Sequence, residues 1–410
     1  MIGRGTKWLF VHQSFAAQFY LIARHLAEQG HEVAAISQLA SPGIERVRHQ
    51  RYRRPRLGAQ LHPLVRSFAG GIRNAEAVAQ AADTLKRDGF VPDLMVGHTS
   101  WGEILCLKDV WPDRPLLGFF EWYPRSIPFD PEFPIPDDDP AYCRSRTALN
   151  LMSFEAADHG QTATEYQRST FPKRFQDRIT TVHDGIDTDA YRPNREARVR
   201  LGDHLTLVPG DEVVTYCSRG LEPYRGFHIF MRALPSILRR RPNAHVLIVG
   251  SGRRSYSPAP QSANTYAQQL MAEIGGSIDR SRVHFFGYLP PEALRAVLHI
   301  SAAHVYLTRP FVMSWSLLEA MASGCLVIGS RTPPVEEVID HGKSGLLVDF
   351  FDVEGLADRV CEGLAFPERW RSVRAAARET VVDRYDFKTR CLAGHLSLYG
   401  KLIGTRLPVK

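Results

Sequence analysis

The chain is poor in cysteine, has no long apolar run and lacks every compact metal or nucleotide signature. Its six cysteines, Cys106, Cys143, Cys217, Cys325, Cys361 and Cys391, are far apart and never form a C-x-x-C pair. That spacing speaks for reduced, mostly buried thiols rather than a disulfide framework or a zinc site. Nothing approaches the ~18 apolar residues of a membrane span. Arg4 and Lys7 precede Trp8-Leu9-Phe10-Val11, but His12 and Gln13 end that run, well short of the roughly 7–15 apolar residues of a secretory segment. No H-E-x-x-H, Walker loop or G-x-S-x-G occurs. A cytoplasmic protein is the expectation.

What is present fits a two-domain globular chain. Its 410 residues are 44% hydrophobic and 23% charged, too many for one ordinary core, so two domains of roughly 200 residues are expected. Lys and Arg number 51 against 44 Asp and Glu, a net charge of +7. This excess permits an anionic partner without naming one. It is most concentrated in Arg46–Arg73, which has eight arginines (46, 48, 51, 53, 54, 56, 66 and 73) and no carboxylate. The segment reads as a solvated loop or as a basic patch for anionic lipid headgroups or a charged acceptor. It has neither a groove-reading helix nor an aromatic platform, so nucleic acid is not expected.

Short β-rich runs alternate with helical periodicity. Trp8–Val11, Glu32–Ser37, Leu94–Gly97, Leu116–Phe120 and Ile179–His183 read as strands. Helices are expected from Phe15 to Leu26 and over Ile72–Arg87 and Tyr142–Ala157. Pro128–Pro140, with five prolines, reads as a surface loop, and the turn-rich Asp184–Asp211 as a linker. The alternation then restarts with Val213–Cys217, Val246–Gly250, Val283–Gly287, Val305–Thr308, Leu326–Gly329 and Leu346–Val348. Such a pattern predicts an α/β protein of two doubly wound, Rossmann-like domains facing a cleft. Ligands of such sheets bind beyond the carboxyl ends of the strands, so residues just after strands matter most.

Four places satisfy that condition. Val249-Gly250-Ser251-Gly252 follows a strand but lacks the third glycine and the immediate helix of a dinucleotide fingerprint. It suits a tight turn near a ligand more than NAD. Thr308–Gly324 sets a helix N-terminus shortly after a strand, which suits phosphate; Ser316-Leu317-Leu318-Glu319 also fits a capping box in which Glu319 bonds back to Ser316. Arg219 and Arg225, on a loop with Gly220 and Gly226, could clamp a diphosphate or be merely solvated. His98, just past a strand, is either a cleft residue or a satisfied structural histidine. Asp137-Asp138-Asp139 lies in the proline-rich loop and is not read as a metal motif.

Taken in order, Arg219…Arg225-Gly226, Val249–Gly252, Phe286-Gly287-Tyr288-Leu289, Leu318-Glu319-Ala320-Met321-Ala322 and Pro334–Val338 leading to Gly345–Val348 resemble the nucleotide-sugar half of the group 1 (family 4) retaining glycosyltransferases of the GT-B fold. His12–Phe15, His98 and His183–Asp187 resemble its other half. The resemblance implies an acceptor-side domain over 1–190, a nucleotide-sugar domain over 191–384 and a crossover helix over about 385–410 returning to the first. It implies that Arg219 and Arg225 hold the donor diphosphate, that Glu319 binds the ribose and that the Ser314-Trp315-Ser316 backbone meets phosphate. Tyr288 and Leu289 would flank the base, and His98 would touch the transferred sugar. Neither metal nor cofactor is implied; the partners are a nucleotide-diphosphate sugar and a saccharide or lipid-linked acceptor. The chain departs from the family's E-x7-E pattern. Eight residues before Glu319 stands Phe311, and aligning on Pro-Phe gives Arg309 instead. Arg225 also replaces the usual lysine, and Ser14-Phe15-Ala16-Ala17 the usual glycine pair.

The expected reaction is glycosyl transfer with retention, by front-face attack assisted by the leaving phosphate. Three alternatives stand beside it. A nucleotide-sugar isomerase would form product without acceptor, a nicotinamide-dependent oxidoreductase would change cofactor absorbance, and a non-catalytic sugar-nucleotide sensor would bind donor without releasing free nucleotide.

Overall fold

The computed structural model describes residues 5–39, 43–53, 56–58 and 60–405; Arg54 of the basic segment lies outside them. Two units divide the chain. The first comprises residues up to Pro128, Pro136–Gly185 and Phe387 onward; the second comprises Phe129–Ile135 and Ile186–Asp386.

The first unit is built on seven parallel strands: β1 (Lys7–Val11), β2 (Glu32–Ser37), β3 (Val47–Arg51), β4 (Leu94–His98), β5 (Leu116–Phe119), β6 (His159–Thr162) and β7 (Ile179–Thr181). Their order is β3-β2-β1-β4-β5-β6-β7, with direction of winding reversed between β1 and β4. Trp8–Val11 and Leu94–His98 are wholly buried, as central strands covered on both faces must be. The basic segment is not all loop. Val47–Arg51 pairs with β2 as an edge strand, its charged side chains tolerable because one edge faces no partner, and Arg48 pairs with Asp88. The next helix starts at Pro63 rather than Ile72: Pro63 suits its first position, and His62 Nδ1 accepts from the Leu64 N–H. The first helix starts at Tyr20, after a short 3-10 turn over Ala17–Phe19. The Leu392–Leu402 helix returns to this unit, where Tyr399 packs on Trp8 with ring centroids 5.8 Å apart.

The second unit opens with a small hairpin, β8 (Val199–Leu201) and β9 (Leu205–Leu207), inside the stretch read as linker. Its main sheet holds β10 (Val213–Gly220), β11 (His245–Ser251), β12 (Val283–Gly287), β13 (Ala303–Tyr306), β14 (Val327–Ser330) and β15 (Leu346–Val348). All are parallel, ordered β12-β11-β10-β13-β14-β15, with the reversal between β10 and β13. The Phe227–Arg240 helix buries Phe227, Phe230, Leu234 and Ile237 in the core, each fully buried side chain contributing about 1.5–3 kcal/mol.

Phe129–Ile135 corrects the reading of Pro128–Pro140 as a plain surface loop. Asp130 Oδ2 lies 3.2 Å from His228 Nε2, Glu132 takes both Arg232 Nη groups at 2.7 and 2.5 Å, and Phe129 packs on Phe350 with centroids 4.9 Å apart. The following acids have structural duties too. Asp137 pairs with Arg146, and Asp139 caps the Pro140–Ala156 helix through the Ala141 N–H.

Candidate active site

In a doubly wound sheet the two loops flanking the strand-order reversal diverge and leave room for a ligand. In the second unit these follow β10 and β13; the end of β10 and its loop carry Arg219 and Arg225 on one side, and the loop after β13 carries Thr308–Ser314 up to the next helix on the other.

Arg219 is exposed at the end of β10; its Nε donates to Ser255 Oγ at 3.3 Å. Arg225 is more enclosed. Its Nη1 donates to Thr308 Oγ1 at 2.9 Å and to the Val312 carbonyl at 2.8 Å. The rings of Tyr224, Tyr256 and Phe311 surround it at 5.9, 5.9 and 5.5 Å. Among the described residues, neither arginine has a carboxylate within ion-pair distance. Gly226 makes this turn possible. Its φ is +68°, and a Cβ there would lie 2.4 Å from Leu307 Cβ.

A carboxylate that the motifs did not single out builds the wall beside them. Glu222 is buried and accepts backbone N–H bonds from Ser255 (3.1 and 3.2 Å, one to each oxygen), Tyr256 (3.1 Å) and Ser257 (2.8 Å). It thereby fixes Arg253–Ser257 against the β10 loop. Tyr256 stacks on Tyr224 at 4.5 Å and sits 5.9 Å from the Arg219 guanidinium. Gly250 lies beneath: a Cβ there would be 2.4 Å from the Ser218 carbonyl oxygen. Gly252 abuts Thr265, the cap of the next helix, which starts only at Tyr266.

Across the reversal, the helix spans Trp315–Ala322 and its N-cap is Ser314. The expected box on Ser316 is therefore displaced by two residues, with Ser314 Oγ accepting from the Ser316 N–H at 3.4 Å. Glu319 does not cap. Burial pushes its carboxyl up to about 7, against the opposing effects of the Tyr191 hydroxyl bonded to it and of Arg295. Trp315 is exposed at the helix start. Tyr288, just past β12, is 81% exposed, whereas Leu289 packs on the core, so of that pair only Tyr288 offers an open face. No carboxylate occupies either candidate for the first position of the E-x7-E pattern: Phe311 belongs to the aromatic cluster, and Arg309 is buried between the Phe129 and Tyr224 rings.

His98 lies in the first unit, at the end of β4, with His12 just past β1 across that sheet's own reversal. Its ring is wholly buried, stacked on Trp101 at 4.3 Å, and its Nδ1 accepts from the Ser100 N–H at 3.2 Å. Its Nε2 lies 3.6 Å from Glu121 Oε2. Glu121, which the motifs also passed over, follows β5, and its position past a strand end was the available signal.

Among the described residues no group of three or more His, Cys, Asp or Glu could hold a metal ion, and no helix is long and apolar enough to cross a membrane.

Two family models match the chain: the glycosyl transferase family 4 group over residues 29–191 and glycosyl transferases group 1 over 211–365. A GDP-mannose-dependent alpha-(1-6)-phosphatidylinositol monomannoside mannosyltransferase of Mycolicibacterium smegmatis is 30% identical over 257 residues, 60% of this chain and 63% of that one. The D-inositol 3-phosphate glycosyltransferase of Corynebacterium efficiens is 34% identical over 230 residues, 54% and 52%. The chain thus spans less than two thirds of the length of these relatives. Among solved structures, Anabaena HepE in complex with UDP and glucose is similar at TM-score 0.71 and 17% identity, covering 96% of this chain and 99% of that one. Sucrose-phosphate synthase of Thermosynechococcus elongatus is similar at TM-score 0.74 and 16% identity, covering 97% and 99%. At such identity the likeness concerns the fold.

Proposed function

We propose that this chain, which belongs to the group 1 and family 4 glycosyltransferases of GT-B fold, moves a hexose from a nucleotide-diphosphate sugar to a saccharide or lipid-linked acceptor with retention of configuration. The observation that carries the reading is Arg225: an enclosed guanidinium whose partners are a hydroxyl, a carbonyl and aromatic rings, but no carboxylate. A cation so placed lacks an internal counter-charge, and a diphosphate supplies one. As the glycosidic bond breaks, negative charge grows on the leaving diphosphate. Arg225, Arg219 and the N–H groups at the start of the Trp315–Ala322 helix then stabilise the transition state more than the ground state. The same groups carry the charge that a cation would otherwise neutralise, and the reading includes no metal or other cofactor. With Arg309 and Phe311 where a carboxylate would stand, front-face attack assisted by the leaving phosphate is the favoured course. Glu319 would hold the ribose, and Tyr288 the base.

The relatives named for phosphatidylinositol mannoside and inositol phosphate favour an anionic acceptor. The basic edge strand and its neighbours in Arg46–Arg73 suit either that charge or a peripheral contact with the inner membrane face. The test is a thermal-shift series with GDP, UDP, GDP-mannose and UDP-glucose, then mass and anomeric analysis of products formed with phosphatidylinositol monomannoside or D-inositol 3-phosphate. Arg225→Ala should reduce turnover by about 10²–10³-fold, the scale of losing one transition-state donor. If Arg219→Ala and Arg225→Ala both keep wild-type turnover, the clamp assignment fails.

A further inference from the structure

We infer that Glu121 is the side chain through which the first unit meets a hexose ring, and that His98 and Gln18 position it. The inference rests on the glycosyl-transfer reading. His98 is wholly buried, and its Nε2 has no surface of its own and no hydrogen bond within 3.5 Å among the described residues. Because Nδ1 accepts the Ser100 N–H, the ring carries its hydrogen on Nε2, the atom 3.6 Å from Glu121 Oε2. The imidazole is enclosed by the Trp101 ring stacked on it at 4.3 Å, the His12 ring at 5.3 Å and the Phe119 ring at 5.5 Å. Gln18 Nε2 donates to the second carboxylate oxygen, Oε1, at 2.8 Å.

Of the His12, His98 and Glu121 trio, Glu121 is the most exposed, with 21% of its side chain open, whereas both histidines are buried. Burial opposes its ionisation, but His98, His12 and Gln18 together hold the carboxyl below its usual range. The result is a fixed, ionised carboxylate at the carboxyl end of β5, one strand away from the strand-order reversal of this sheet. Each of its oxygens has one protein neighbour and a further lone pair, so it can accept a hydroxyl hydrogen. A polyhydroxylated ring, from the donor or the acceptor, is the ligand of that chemistry.

The experiment compares the wild-type chain with Glu121→Gln, His98→Gln and the double variant. It measures binding of GDP, UDP, GDP-mannose and UDP-glucose, acceptor KM, and thermal unfolding as a control for folding. Glu121→Gln should bind the nucleotide within about twofold of wild type yet lose at least about tenfold in sugar recognition, the scale of a hydrogen bond to a charged group. A donor hexose puts that loss in affinity for the intact nucleotide sugar; an acceptor hexose puts it in acceptor KM. His98→Gln should lose less, and the double variant no more than Glu121→Gln, as expected of a residue acting through another. Should Glu121→Gln unfold, Glu121→Asp replaces it with the same readouts. Wild-type behaviour of the Glu121 variants, or a larger and additive loss from His98→Gln, overturns the inference alone. A wild-type chain that binds none of the nucleotide sugars overturns the glycosyl-transfer reading together with it.

Discussion

Replacing Glu222 by glutamine separates two opposite expectations. Read as bare charge, Glu222 is an anion three residues from each of the arginines assigned to an anionic diphosphate. Neutralising it would then tighten nucleotide binding. The geometry argues the reverse. Oε2 accepts N–H bonds from Ser255, Tyr256 and Ser257 at 3.2, 3.1 and 2.8 Å, and Oε1 a second contact from Ser255 at 3.1 Å. The best glutamine orientation keeps its oxygen at the three-bond position and turns its NH₂ against the Ser255 N–H. Three charge-assisted bonds become neutral ones, at a loss of about 1 kcal/mol each, or about 3 kcal/mol in all. That energy holds Arg253–Ser257 in place, and with it the Tyr256 ring beside both guanidiniums. If the loop must be ordered for nucleotide to bind, affinity for GDP or UDP falls by up to about 10²-fold. Calorimetric titration of both nucleotides measures the effect, with thermal unfolding to show that the domain remains folded. Unchanged or tighter binding by Glu222→Gln refutes the argument that Glu222 anchors a loop on which nucleotide binding depends.

Three further outcomes follow from particular contacts. Gly226→Ala must place a Cβ 2.4 Å from Leu307 Cβ at φ +68°, so left-handed strain plus overpacking should cost about 2–5 kcal/mol in denaturant unfolding. His304, wholly buried with Nδ1 2.8 Å from Thr215 Oγ1, is pushed down to about 3 by burial. Its stabilising contribution is complete above the unfolded value of about 6.5 and is lost as pH falls toward about 3, so His304→Asn should flatten the fall in melting temperature between about pH 7 and about pH 4. Glu103 has the other sign. Burial lifts it to about 7 despite its bond from the Tyr52 hydroxyl. Its contribution is present at acid pH and lost as pH rises through that value, so Glu103→Gln should gain in melting temperature relative to wild type above neutrality.

Most strands of both sheets were legible because central parallel strands are buried on two faces and read as apolar runs; Trp8–Val11 and Val246–Val249 are examples. β3 and β6 were not: Val47-Arg48-His49-Gln50-Arg51 lies at an edge where one side stays in water, and His159-Gly160-Gln161-Thr162, although it lies between β5 and β7, has no apolar side chain to mark it. The helix cap at Ser314 was missed by two residues because Ser314 and Ser316 offer the same hydroxyl, and only the path of the chain after β13 chooses between them. Carboxylates show the deeper limit of periodicity, which reports faces and not partners. Glu222 finds its N–H donors 33 to 35 residues on, and Glu121 its glutamine 103 residues back. These three carboxylates, one in the first unit and two in the second, therefore differ only through what meets them. Glu222 is saturated with peptide N–H bonds, Glu121 is kept ionised by His98, His12 and Gln18, and Glu319 is pushed up to about 7 by burial. One side-chain chemistry thus supplies a loop anchor, a fixed acceptor and a group that titrates near neutrality, and the tertiary contacts alone decide which is which.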